Sequence, residues 1–182
     1  MKFILSFILI VLFMSCQNNS RNRTVFIKAL NEADSIELNI VKSTLENNFN
    51  FDCKFLKDTS FFVKDTLCCD KFQSSIGNIP LFTYDEEKPT IVYVTRLPLT
   101  SVNASVLGVT YGNQIFIRLA GHNQIKSTVA HEVLHNFGLD HCHNNCIMNV
   151  DDSVAQKRLD SDFWDYFSDK PIVCDFCKSK LP

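Results

Sequence analysis

His131, Glu132, His135, Gly138 and His141 stand in the run HEVLHNFGLDH, an HExxHxxGxxH pattern that fixes a helix, a sharp turn and a common focus in eleven residues. Residues four apart on an α-helix lie one turn above each other, so His131 and His135 can aim two imidazole nitrogens at one point. Glu132 sits one step round the helix, where a carboxylate reaches a metal-bound water without itself being a ligand, the place of a general base. Gly138 ends the helix. Without a Cβ it can adopt φ > 0 and bring His141 back as a third ligand. Three nitrogen ligands leave the fourth tetrahedral position to water, which separates a catalytic zinc from a closed structural one. Four of the five histidines fall between His131 and His143. The chain's own composition gives the five fixed positions roughly 10⁻⁶ to 10⁻⁵ chance occurrences, so the run has a chemical cause.

The 182 residues, 46% apolar and 21% charged, suit one globular domain with a sizeable core. A net charge of −2 and a pI near 6.2 argue against nucleic acid as a partner. The N-terminus reads as an export signal. Lys2 precedes an apolar stretch, Phe3 to Met14, broken only by Ser6 and too short for the ~20 residues of a spanning helix. Leu12-Phe13-Met14-Ser15-Cys16 resembles a bacterial lipobox. It implies removal of residues 1–15 and lipid modification of Cys16, against the alternative of an ordinary signal peptide with a chance cysteine. Residues 16–23 then form the lipidated cysteine and a polar tether, and 24–182 the folded domain. The expected product is exported and held to a membrane by its N-terminal lipid on the periplasmic or surface side.

Thr24 to Leu30 reads as a strand, and Asn31 can cap a helix whose Ile36, Ile40, Val41, Leu45 and Phe49 recur at helical spacing. Phe51, Cys53 and Phe55 alternate as a second strand, for which a right-handed parallel crossover is expected. Residues 58–80 lack clear periodicity. Thr90 to Thr95 is a β-branched strand, and Ser105 to Thr110 with Gln114 to Leu119 flank Tyr111-Gly112-Asn113 as a hairpin. The active-site helix should start at Asn123 or Gln124, with Ile125, Val129 and Val133 on one flank and Ala130, Leu134 and Phe137 on the other. Ser153 and Gln156 fit a capping box for a last helix running through Leu159, Phe163 and Phe167 to a stop at Pro171. No repeat, P-loop or Rossmann glycine pattern is present.

Cys142 directly follows His141. Cys146, Ile147 and Met148 come next, and Cys174-Asp175-Phe176-Cys177 later. The four cysteines have the spacing of a Cys₄ zinc site, although an oxidising compartment also permits disulfides. Together with the histidine run they resemble the archaemetzincins, metzincin-like zinc peptidases with HExxHxxGxxHC, a second cysteine, a methionine and a later CxxC. The resemblance implies a single α/β metzincin-like domain, with a mixed twisted sheet, an active-site helix and a C-terminal helix. It implies catalytic zinc on His131, His135 and His141, Glu132 as general base, and a second, structural zinc on Cys142, Cys146, Cys174 and Cys177. Met148 falls at the Met-turn beneath the histidines. The implied activity is hydrolysis of peptide or protein substrates by a monomer, with extended substrate pairing to an edge strand, for which Gln114 to Leu119 is the candidate.

The alternative is a catalytically silent zinc-binding lipoprotein, a binding or structural module. Retention of Glu132, which has little structural use, weighs against it. Among the remaining residues, His143 could serve the second site or be an exposed loop residue. His122 belongs to the start of the active-site helix. Asp140, Asp151 and Asp152 are candidates to orient the ligand imidazoles. Tyr111 and Tyr166 could face an oxyanion or pack. Cys53, Cys68 and Cys69 read as buried thiols, or as one disulfide with a thiol left over.

Overall fold

Val25, Ile27 and Leu30 bury their side chains from strand β1 (Thr24–Leu30), as the β-branched and aliphatic pattern of a strand inside a sheet requires. In the computed structural model the described residues are 23–30, 33–56, 67–68, 75–76, 79–80, 88–101, 104–168 and 171–180. Residues 1–22, with the expected export signal and Cys16, lie outside them, as do Asn31 and Cys69. No helix among the described residues is long and apolar enough to cross a membrane.

Helix α1 (Ser35–Phe49) is capped by Asp34, three residues later than the expected Asn31. The Asp34 side chain accepts from the Glu37 amide at 2.8 Å and the Glu37 carboxylate accepts from the Asp34 amide at 3.2 Å, a reciprocal capping box. Arg96 reaches across from the end of the central strand to Glu37 at 2.7 Å. The helix ends at Asn50, in the left-handed region with φ 54°.

The chain then enters β2 (Asp52–Phe55), parallel to β1 with Thr24 opposite Asp52, as the strand, helix, strand reading expects. Short strands β3 (Leu67–Cys68), β4 (Ser75–Ile76) and β5 (Ile79–Pro80) follow. Next come β6 (Thr90–Thr95), β7 (Leu99–Ser101), β8 (Ala104–Val106), β9 (Gly108–Tyr111) and β10 (Gln114–Arg118). The main sheet runs β2-β1-β6-β10-β9. Its first four strands are mutually parallel, and β9 is antiparallel to β10. This is the expected mixed α/β arrangement. The expected hairpin is present but tighter: Ser105 belongs to β8, which pairs with β7, and the turn itself is Gly112-Asn113, with Gly112 at φ 54°.

Helix α2 (His122–Asn136) starts just ahead of the expected position, after Gly121. Its Ile125, Val129 and Val133 pack with Val41 and Leu45 of α1 on Val25, Ile27, Val92, Val94, Ile115 and Ile117 of the sheet. On the other flank Ala130 and Leu134 meet Leu139, Ile147, Met148, Phe163 and Phe167. A helix apolar on two sides is thereby clamped between the sheet and the C-terminal segment, leaving one edge for chemistry.

The expected single helix from Ser153 is two. Helix α3 (Asp152–Asp160) has Asp151 at its N-cap with no side-chain cap bond, so no capping box forms at Ser153. It ends at an extended Ser161, and Asp162 starts α4 (Phe163–Tyr166) by accepting from the Tyr166 amide through its carbonyl, at 2.9 Å. A last turn, α5 (Asp175–Lys178), carries Cys177.

Candidate metal centre

The Nε2 atoms of His131, His135 and His141 form a triangle with sides of 3.1, 3.0 and 3.2 Å. Two of the rings are oriented by backbone carbonyls: His131 Nδ1 donates to Ile147 O at 2.8 Å and His135 Nδ1 to Leu139 O at 2.7 Å. A carbonyl only accepts, so the proton is on Nδ1 and the Nε2 lone pair faces inward. Lone pairs facing one another at such distances repel unless a cation lies among them. For Zn–N bonds of about 2.0–2.1 Å, a tetrahedron has edges of about 3.3 Å, close to those found. The donor set therefore fits zinc. Burial also lowers the His135 pKa, an effect partly opposed by the Leu139 carbonyl, and so favours the neutral ligand form.

Gly138 makes this triangle possible. Its φ of 82° turns the chain at the end of α2, as the sequence pattern expects, and returns His141 to the two helical ligands. The Nδ1 atoms of His131 and His135 are thus held by backbone carbonyls, in place of the carboxylates that the sequence offered. Asp151 pairs instead with His143, at 3.1 Å, on an exposed loop. His143 stands outside both metal clusters, and His122 is exposed at the first residue of α2.

Glu132 is buried beside the triangle, 6% exposed. The Thr110 hydroxyl lies 2.9 Å from its Oε2 and 2.8 Å from its backbone carbonyl. Burial pushes the Glu132 carboxyl up to about 7, against the lowering effect of the Thr110 hydrogen bond. Facing it is Gly108 of β9. A Cβ there would stand 2.6 Å from Glu132 Cγ and 2.9 Å from Oε1, so only a glycine admits the carboxylate. Asn136, also buried, lies one turn beyond Glu132. It accepts from the Thr90 hydroxyl at 3.0 Å and donates to Gly112 O at 2.6 Å, which ties α2 to the central strand and the hairpin turn. No sequence motif marks Gly108, Thr110 or Asn136 as site residues. For Asn136 the available signal is its spacing, four residues beyond Glu132 on the same face of the helix.

These residues line a cleft of about 880 Å³ whose walls include Gly108, Thr110, Asp140 and Lys180. One wall is β9, the edge of the main sheet. This corrects the expected substrate strand: Gln114 to Leu119 contains β10, paired with β6 on one side and β9 on the other, and has no open edge. At the start of β9, Leu107 O accepts from Arg118 N at 2.7 Å. Antiparallel alternation then turns the backbone groups of Gly108 and Thr110 away from β10. Tyr166 is a packing residue. It is buried, and its hydroxyl donates to Asn145 Oδ1 at 3.3 Å. Tyr111 is not among the cleft residues.

A second focus lies immediately beyond His141. The sulfurs of Cys142, Cys146, Cys174 and Cys177 all lie within 4.8 Å of one another. Cys142 and Cys146 are 3.3 Å apart, and Cys146 and Cys177 4.0 Å. Tetrahedral zinc with Zn–S bonds of about 2.3 Å needs S–S edges of about 3.8 Å, so four buried thiols at these separations fit that ion. All four are free cysteines, as is buried Cys53. Met148 is fully buried in the same cluster. Its carbonyl accepts from the Cys142 amide at 3.1 Å.

A family model described as peptidase family M54 matches residues 46–181. Among solved structures, an archaemetzincin from Archaeoglobus fulgidus, complexed with malonate, is similar with a TM-score of 0.60 and 20% identity, over 87% of this chain and 99% of that one. An archaemetzincin from Methanopyrus kandleri gives 0.59 and 17%, over 90% and 95%. A zinc-dependent peptidase from Methanocorpusculum labreanum gives 0.56 and 16%, over 87% and 100%. At such identities these likenesses speak to the fold. No curated protein matches the chain.

Proposed function

From the membership of this chain in peptidase family M54, the archaemetzincins, which makes it a zinc metallopeptidase, we propose that it cleaves peptide bonds with Glu132 as general base while anchored outside the cytoplasm. His131, His135 and His141 hold the catalytic zinc. When bound, the ion supplies a Lewis acid that acidifies a water and polarises a peptide carbonyl. Glu132 takes the water's proton and passes it to the departing amine. The outward backbone groups of Gly108 and Thr110 pair with an extended substrate, registering it against the base. Cys142, Cys146, Cys174 and Cys177 hold a second, structural zinc.

The observation that carries this reading is the convergence of three Nε2 atoms beside a buried carboxylate at the wall of an open cleft. The test is zinc analysis and peptide-library digestion by the full chain beside Glu132→Gln. Equal zinc content with cleavage lost in the variant supports the mechanism. Cleavage by neither protein over a broad library favours the silent binding module.

Anchoring rests on Lys2, the apolar stretch to Met14, and Cys16. Mass spectrometry of the protein from an expressing bacterium tests it, and a mature chain with an unmodified Cys16 would sink it.

A further inference from the structure

The strand that borders the cleft also grips the base. Gly108 and Thr110 are two apart in β9, so both project toward α2, while their backbone groups face outward along the edge that no described strand covers. The Thr110 hydroxyl has one proton and two acceptors within reach, Glu132 Oε2 at 2.9 Å and Glu132 O at 2.8 Å. We infer that Thr110 is a positioning residue for proton transfer, its hydroxyl serving the Glu132 carboxyl in both of its charge states. The inference rests on the reading of Glu132 as general base.

With Glu132 ionised, Thr110 donates to the carboxylate. When Glu132 carries a proton on that oxygen, the hydroxyl accepts from it and turns its own proton to the Glu132 carbonyl. A hydroxyl is donor and acceptor at once, so each state keeps a complete hydrogen bond: Thr110 retains its own proton, and the one proton by which the states differ is on Glu132. Gly108 adds the complementary restraint. Its bare Cα sets the wall against which Oε1 lies, and a Cβ would push Cγ away. The carboxyl thus stays in one place as it gains and loses its proton. In a buried site this matters, because an unpaired carboxylate would rotate toward whatever partner it could find.

The experiment uses the full chain with zinc bound, a peptide found by library digestion, and Thr110→Val, Thr110→Ser and Glu132→Gln. Valine keeps the branched shape and removes the hydroxyl; serine keeps the hydroxyl. Thr110→Val should lower kcat about tenfold or more, the effect of losing one hydrogen bond to a charged group. Its KM and zinc content should match the unmodified protein, and Thr110→Ser should restore most of kcat. The inference is overturned if Thr110→Val keeps kcat while Glu132→Gln is inactive, an outcome that leaves the general-base reading intact. Equal impairment of both Thr110 variants, or loss of zinc from Thr110→Val, would mark a structural role and also overturn it. Cleavage by Glu132→Gln would overturn the general-base reading itself, and the inference with it.

Discussion

His131 Nδ1 is bonded to the carbonyl of Ile147, 2.8 Å away, so a histidine on the active-site helix is oriented by the loop that carries the cysteine cluster. The same loop is closed by the Cys142 amide on Met148 O and anchored by Ile147 N on Ile172 O. The two metal foci therefore share one piece of backbone.

Cys146→Ser should accordingly affect both. The expected outcome is loss of one of two zinc ions per chain and, through the loosened Ile147 carbonyl, roughly 10- to 100-fold weaker binding of the other, the usual effect of removing a group that orients a ligand. Metal analysis during stepwise chelation measures this. A single zinc per chain in the unsubstituted protein would contradict it.

Two glycines separate backbone strain from steric exclusion. Gly138 has φ 82° and nothing within 4 Å of the place a methyl would take, whereas at Gly108 that place has Glu132 and Thr128 atoms inside 3 Å. Gly138→Ala should cost about 1–2 kcal/mol of stability from the left-handed conformation alone. Gly108→Ala should displace Glu132 and lower kcat by more than its change in stability accounts for. Urea denaturation and steady-state kinetics on the two variants distinguish the cases.

Asn136 supplies a buried partner to two groups, Thr90 Oγ1 and Gly112 O. Asn136→Ala should destabilise the protein by about 1–3 kcal/mol, the range for unpaired buried polar groups. Chemical denaturation reads the loss, and a change below experimental error would mean that the cavity admits water to both partners.

Cys53 gives the stability a pH dependence in the alkaline range. Burial, reinforced by Glu46, pushes its thiol from 9.0 up to about 11. An unfolded chain loses this proton first, so between these values it binds fewer protons than the folded chain and stability falls as pH rises. The contribution is intact below pH 9.0 and is lost by about 11. Urea midpoints across that window should fall less steeply for Cys53→Ala.

The histidine run is legible in the sequence because its geometry is local: α-helical periodicity and one glycine turn define it. The two flanks of α2 are equally legible, with Ile125, Val129 and Val133 on the sheet and Ala130 and Leu134 on the C-terminal cluster. The cysteine cluster is legible in membership, because Cys142 with Cys146 and Cys174 with Cys177 stand at spacings that let each pair face one focus. What stays hidden depends on distant partners. Which limb of the hairpin is the open edge follows from β6 taking β10 as its parallel neighbour, and nothing in Gln114 to Leu119 states that. The Thr90 and Thr110 contacts to α2 span 46 and 22 residues. The break after Asp160 is masked because Leu159, Phe163 and Phe167 keep helical spacing across it; Phe163 and Phe167 are buried as expected, although Asp162 begins a new turn between the helices.

The edge of a sheet is also a hazard, since it offers hydrogen bonds to any extended chain, including another copy of the same protein. Here β9 is only four residues long, opens with a glycine and runs straight into the Gly112 turn. Such an edge is long enough to hold a short extended segment in passing and too short to seed a continuous sheet between molecules. On the proposed pairing of substrate with β9, brevity at this wall is a form of quality control: a guest strand finds a few hydrogen bonds there, and a second copy of the chain finds no more than those.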